Sequence, residues 1–101
     1  MMKWYIAGPM RGYPGLNFES FNVAAKALQM LGYSVINPVE LNPDPEADYI
    51  ECMRIDLKAL CDCDGIYLLR GWEKSEGANA EYQVAKMLKL NVWFQPPIKY
   101  D

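Results

Sequence analysis

In the run Ser75-Glu76-Gly77-Ala78-Asn79-Ala80-Glu81-Tyr82-Gln83-Val84-Ala85-Lys86-Met87-Leu88, the residues Ala78, Tyr82, Ala85 and Leu88 recur at three- and four-residue steps. This is the spacing of one helix face. Glu81 falls inside that arc, where an apolar side chain belongs. A carboxylate taken out of water without a partner is costly, so such a residue has a dedicated partner, a shifted pKa or a chemical task. Both a half-exposed Glu bonded to a neighbouring Arg or Tyr and a reacting carboxylate fit this pattern.

Other side-chain chemistries are fewer than usual. The chain has no histidine, which removes imidazole acid-base chemistry, Ser-His and Cys-His pairs and His-ligated zinc. Its cysteines, Cys52, Cys61 and Cys63, are odd in number, and the single-residue gap in Cys61-Asp62-Cys63 misses the usual metal and redox spacings. We therefore expect neutral thiols, no metal and no cofactor. The remaining chemistry rests on carboxylates, tyrosines, hydroxyls and backbone groups.

The elements that must position Glu81 alternate along the chain. Lys3-Trp4-Tyr5-Ile6-Ala7 reads as a strand closed by Gly8-Pro9, followed by a glycine- and proline-rich loop from Met10 to Leu16. Asn17 is a plausible cap for a helix to Leu31 whose apolar face runs Phe18, Phe21, Ala25, Leu28 and Leu31, with Gly32 as its stop. Tyr33 to Ile36 is a second strand, ended by Asn37-Pro38. After a polar stretch from Val39 to Glu46, Asp44-Pro45 resembles the start of a second helix, with Tyr49, Ile50, Met53, Leu57 and Leu60 on one face and an end near Cys61. Asp64 to Leu69 is a third strand, Ser75 caps a third helix to Leu90, and Asn91-Val92-Trp93-Phe94 is a fourth strand ended by Pro96-Pro97. The last four residues are expected to be loosely held.

Strand and helix in strict alternation predict an α/β fold, a flavodoxin-like doubly wound sandwich with a four-stranded parallel sheet in the order 2-1-3-4 and helices on both faces. One domain covers residues 1–101. Ligands of such sheets bind beyond the carboxyl ends of the strands, where the strand order reverses. The Gly8-Pro9 loop and the start of the Glu81 helix then face one crevice. Gly8-Pro9-Met10-Arg11-Gly12 offers backbone N–H groups and a guanidinium to a phosphate or carboxylate, although it matches neither a Walker loop nor a dinucleotide fingerprint. Trp72, in the loop before Ser75, is either a lid for a flat ligand or a surface plug.

With 51% apolar residues, 23% charged residues and a net charge of −3, the chain lacks the basic footprint of a protein that binds nucleic acid polymers or anionic membranes. No apolar run approaches the ~20 residues of a membrane span, and no secretory signal is evident, so a cytoplasmic location is the default.

The segments Tyr5-Ile6-Ala7-Gly8-Pro9-Met10-Arg11-Gly12, Asp64 and Ser75-x-Gly77-x-x-x-Glu81 together resemble the nucleoside 2-deoxyribosyltransferase superfamily, including its deoxynucleoside 5'-monophosphate N-glycosidases. Ala-Gly-Pro-Met-Arg-Gly and Asn37-Pro38-Val39-Glu40 look closest to a short phage and bacterial branch known as a domain of unknown function. The resemblance implies cleavage or exchange of the N-glycosidic bond of a 2'-deoxynucleotide or deoxynucleoside through a covalent glycosyl-Glu81 intermediate. It makes Tyr5 the residue that tunes Glu81 and Asp64 an acid on the base or sugar side. Gly8, Arg11, Gly12, Ser75 and Gly77 become substrate- or phosphate-binding positions, and Trp72 a possible base contact. Ser75 matches the serine of the monophosphate-cleaving branch, whereas Pro9 stands where that branch commonly has a small hydroxylated residue. The partner implied is a small nucleotide or nucleoside, and a homodimer or larger homo-oligomer is expected because the short chain leaves a sheet edge open. The alternative is a non-catalytic nucleotide-binding or sensing module on the same fold.

Overall fold

Alternate residues of the first strand serve two different cores, and this decides the architecture. In the computed structural model, which describes residues 1–96, β1 spans Lys3–Ala7. Trp4 and Ile6 point to one side, where they meet Phe21, Ala24, Ala25 and Leu28 of helix α1 (Phe18–Met30). Tyr5 and Ala7 point to the other, where they meet Leu60 of α3 (Tyr49–Cys61) and Ala78 and Ala85 of α4 (Glu76–Met87). A strand covered by helices on both faces needs side chains that tolerate burial at every position, and residues 4 to 7 are all buried.

The sheet contains β1, β2 (Ser34–Ile36), β3 (Gly65–Leu68) and β4 (Asn91–Phe94), all parallel, in the order β2-β1-β3-β4. This is the predicted order. β1 and β3 are neighbours, in register Tyr5 to Ile66 and Ala7 to Leu68, so the loops after them share one edge of the sheet. Gly65 admits the Trp4 ring, since a Cβ there would lie 2.4 Å from Trp4.

Several boundaries differ from the sequence reading, each for a local reason. Tyr33 precedes β2 and closes the turn after α1, because its N–H returns to the Leu28 carbonyl at 3.1 Å across Gly32, whose φ is +93°. Leu31 is the cap residue of α1 and is exposed, so it is not part of the apolar face. Asn17 does not cap α1 through its side chain, which instead donates to the Pro9 carbonyl at 2.9 Å and pins the loop after β1 to the helix start.

Asn37-Pro38 does more than end a strand. Asn37 caps a short helix, α2 (Pro38–Leu41), by accepting from the Val39 N–H at 3.1 Å, with Pro38 in the first turn. Asp44 caps only a turn, and α3 begins later, with Asp48 accepting from Glu51 N–H at 3.0 Å.

α4 stops at Met87 rather than Leu90. Lys89 adopts a left-handed φ of +57°, and the Leu90 N–H reaches back to the Ala85 carbonyl at 2.9 Å, the closing bond of a Schellman turn made without glycine. The expectations for Pro97 and the last four residues fall outside the described part of the chain. Among the described residues, no helix is long and apolar enough to cross a membrane.

Candidate functional site

Glu81 lies on the second turn of α4 and is 5% exposed. Its neighbours on the helix, Ala78 and Ala85, are small, which lets α4 sit close to the sheet and carries the carboxyl inward to Tyr5. The Tyr5 hydroxyl donates to Glu81 Oε2 and so joins β1 to α4. Burial pushes the Glu81 pKa up to about 8; the Tyr5 hydrogen bond pulls partly back, and the nearby Asp56 adds to the rise. Burial thus favours the protonated form of this carboxyl. Tyr5, itself held well above its usual pKa by burial and by Glu81, stays a donor.

The second carboxyl was not anticipated as a site residue. Asp56, on the inward side of α3, is 8% exposed and accepts a hydrogen bond from Asn42 Nδ2 at 2.7 Å. Burial raises its pKa to about 6, with the Asn42 bond opposing. Asp56 and Glu81 line one cavity of about 450 Å³, a size suited to a small organic ligand.

The walls of that cavity come from the loop after β1, the segment before α3, α3 itself and the first turns of α4. Gly8, Arg11, Ser75, Gly77 and Glu81 all line it, with Tyr5 behind Glu81. The Arg11 guanidinium stacks 4.2 Å above the centre of the Tyr49 ring, joining the β1 loop to α3. Ser75 caps α4 by accepting from Ala78 N–H at 3.1 Å, which leaves its hydroxyl hydrogen available to a ligand. Arg11 and Lys74 are the cations of the lining, and Asp44 and Glu76 join the two buried carboxyls as its acids.

Other predicted positions lie elsewhere or act differently. Asp64 precedes β3, at the amino end of the sheet, where its Oδ2 accepts from Lys3 N–H at 2.8 Å. The cavity opens beyond the carboxyl ends, so Asp64 is at the wrong end of the sheet to act on a sugar or base there. Asp56 is the acid that the fold places in the cavity.

Trp72 is not among the lining residues: it packs against Tyr82 and Phe94, with ring centres 5.0 and 5.9 Å away. Tyr13, Phe18 and Tyr49 supply the flat surfaces of the cavity instead. Gly12 is outside the lining and serves a turn at φ +84°. Gly8 and Gly77 also have packing duties. A Cβ on Gly8 would come within 2.8 Å of Leu69, and one on Gly77 within 3.1 Å of the Tyr49 hydroxyl and 3.3 Å of Met53 Sδ.

The thiols do not form a pair. Cys61 is exposed, while Cys63 is buried and donates to the Ala59 carbonyl at 3.4 Å, its pKa pushed up to about 11 by burial. Among the described residues, no group of three His, Cys, Asp or Glu side chains is gathered as a metal site.

A parallel α/β sheet with a ligand-sized, two-carboxyl cavity at its switch point defines a small α/β protein with a candidate active site. Over residues 2–94 the chain matches one family model, and it belongs to that family, described as Domain of unknown function (DUF4406). No curated protein matches the chain.

Proposed function

We propose that this protein cleaves or exchanges the N-glycosidic bond of a 2'-deoxynucleoside or its 5'-monophosphate, with Glu81 as nucleophile. The observation that carries the reading is a buried Glu81 carboxyl, held by Tyr5 and accompanied by a second buried carboxyl, Asp56, in one ligand-sized cavity. The resemblance of the Tyr5 to Gly12 and Ser75 to Glu81 segments to nucleoside 2-deoxyribosyltransferases supports the same chemistry.

In this reading the ionised Glu81 bonds to the anomeric carbon as the carbon–nitrogen bond to the base breaks. Glu81 is ionised when the one proton the two carboxyls share sits on Asp56, and Asp56 gives that proton to the departing base nitrogen. Water or a second base then attacks the anomeric carbon of the glycosyl ester, giving up its proton to the Asp56 carboxylate, and the carbon–oxygen bond to Glu81 breaks and frees it. The Tyr5 hydroxyl stabilises the ionised form of Glu81 and fixes its orientation. Arg11, Lys74 and the Ser75 hydroxyl border the cavity where a 5'-phosphate or 5'-hydroxyl would lie.

Incubation with a panel of deoxynucleosides and their monophosphates, followed by chromatography for free base, tests the proposal. Glu81→Ala is expected to lower release by ~10³-fold or more. Turnover undiminished by that substitution removes Glu81 from the mechanism.

One observation favours a second reading, a nucleotide-binding module without catalysis: the rise of Glu81 to about 8 leaves little nucleophile at neutral pH. Calorimetric binding of a nucleotide with no base release at any pH up to 9 would establish it.

A further inference from the structure

We propose that the outer edge of β4 is a self-complementary interface, through which two copies of this chain join their sheets in antiparallel fashion about a two-fold axis at Trp93. The inference is independent of the proposed reaction. β4 is the last strand of the sheet and pairs only with β3 among the described residues. Asn91 N–H bonds to the Asp64 carbonyl at 3.0 Å and Gln95 N–H to the Leu68 carbonyl at 2.8 Å. In a parallel pair alternate residues face the same neighbour, so Asn91, Trp93 and Gln95 turn their backbone groups to β3. The N–H and C=O groups of Val92 and Phe94 therefore point outward.

Those outward groups define one register. Residue 96 is proline and has no N–H to offer, so Val92 and Phe94 are the available donors at that end of the strand. With the axis at Trp93, Val92 lies opposite Phe94 of the partner subunit and exchanges both backbone hydrogen bonds with it, while Phe94 does the same with Val92 of the partner subunit. Every outward backbone group of these two residues is then paired. Side chains match as well. Val92 and Phe94 are 37% and 47% exposed and stand on the same face, giving a valine–phenylalanine cross-strand pair on each side of the axis. Trp93 stands on the opposite face, half-buried, and meets Trp93 of the partner subunit at the close, non-hydrogen-bonded position.

The edge carries none of the devices that keep sheet edges apart: Asn91 to Phe94 contain no charge, no proline and no bulge. Its flank is the aromatic cluster of Trp72, Tyr82 and Phe94, with the Lys86 ammonium 4.5 Å from the Tyr82 ring centre.

Sedimentation equilibrium over a micromolar to submillimolar range, with amide hydrogen exchange at both extremes, tests the interface on the full chain. A monomer–dimer equilibrium is expected, with the Val92 and Phe94 amides becoming protected as concentration rises. Val92→Pro removes one outward donor and leaves the β3 pairing intact; Phe94→Lys places a charge at the pair. Each is expected to weaken association by ~10-fold or more without altering circular dichroism. If Val92→Pro fails to fold, Phe94→Lys decides. A dimer indifferent to both substitutions overturns the proposal, as does a chain that stays monomeric with these amides exchanging freely. A monomer in which they are already protected also overturns it.

Discussion

The phenol of Tyr5, in the middle of β1, donates to the carboxyl of Glu81, on the second turn of α4, and joins the central strand to the helix that walls the cavity. Separated by 76 positions in the chain, the two residues meet because β1 lies next to β3 and α4 returns over that pair. The bond favours the ionised form of Glu81.

Tyr5→Phe removes that donor, so the Glu81 pKa is expected to climb above its present value of about 8. Carboxyl-selective carbon NMR across a pH titration would show the midpoint moving to higher pH, and base release would fall. An unmoved midpoint would mean the hydroxyl does not act on Glu81.

Stability should fall toward alkaline pH. The folded protein holds a proton on Glu81 up to about 8, whereas the unfolded chain releases it near the ordinary 4.5. Between those values the folded state binds more protons, so each step up in pH favours unfolding, by a few kcal/mol over the whole window. Asp56, raised to about 6, adds to the slope in the lower part of that window. Urea melts at pH 5 and pH 8 measure this. Glu81→Gln, which keeps an acceptor for Tyr5 and cannot ionise, is expected to flatten the dependence.

Asp56→Asn removes the proposed acid while preserving shape. Base release is expected to drop by ~10²- to 10⁴-fold, with the limb of the pH profile near 6 lost. A substrate with a leaving group that needs no protonation should be far less affected, which separates proton donation from general damage to the cavity.

Sequence patterns exposed the sheet and half of the site. Strand order was legible because each apolar run is short and bounded by Gly, Pro or Asn, and because right-handed crossovers leave few ways to connect parallel strands. Glu81 was legible as a carboxylate on an apolar arc. Asp56 carries the same signal, three residues after Met53 and four before Leu60, yet Arg54 and Lys58 on either side make it read as part of a charged surface. Asp64 entered the candidate site through the family resemblance alone; its place before β3, at the amino end of a parallel strand, pointed away from the ligand edge, and that is where it lies. The Lys89 turn was hidden because a left-handed lysine leaves no glycine to mark it.

That lysine supplies a stability test. Lys89→Gly relieves the left-handed backbone at φ +57° and should stabilise the protein by roughly 1 kcal/mol in denaturant titration. Gly8→Ala should act in the opposite direction, because its new Cβ would lie 2.8 Å from Leu69 Cβ, an atom held by the backbone after β3, at a cost of about 1 kcal/mol or more.

The covalent step is tested most directly by acid-quenching the protein during incubation with a 2'-deoxynucleotide and mapping the product by peptide mass spectrometry. The account predicts a deoxyribosyl adduct on the Ser75 to Lys86 peptide, localised to Glu81 and missing from Glu81→Gln. Base release that proceeds with the adduct on another residue, or proceeds undiminished in Glu81→Gln, would contradict it.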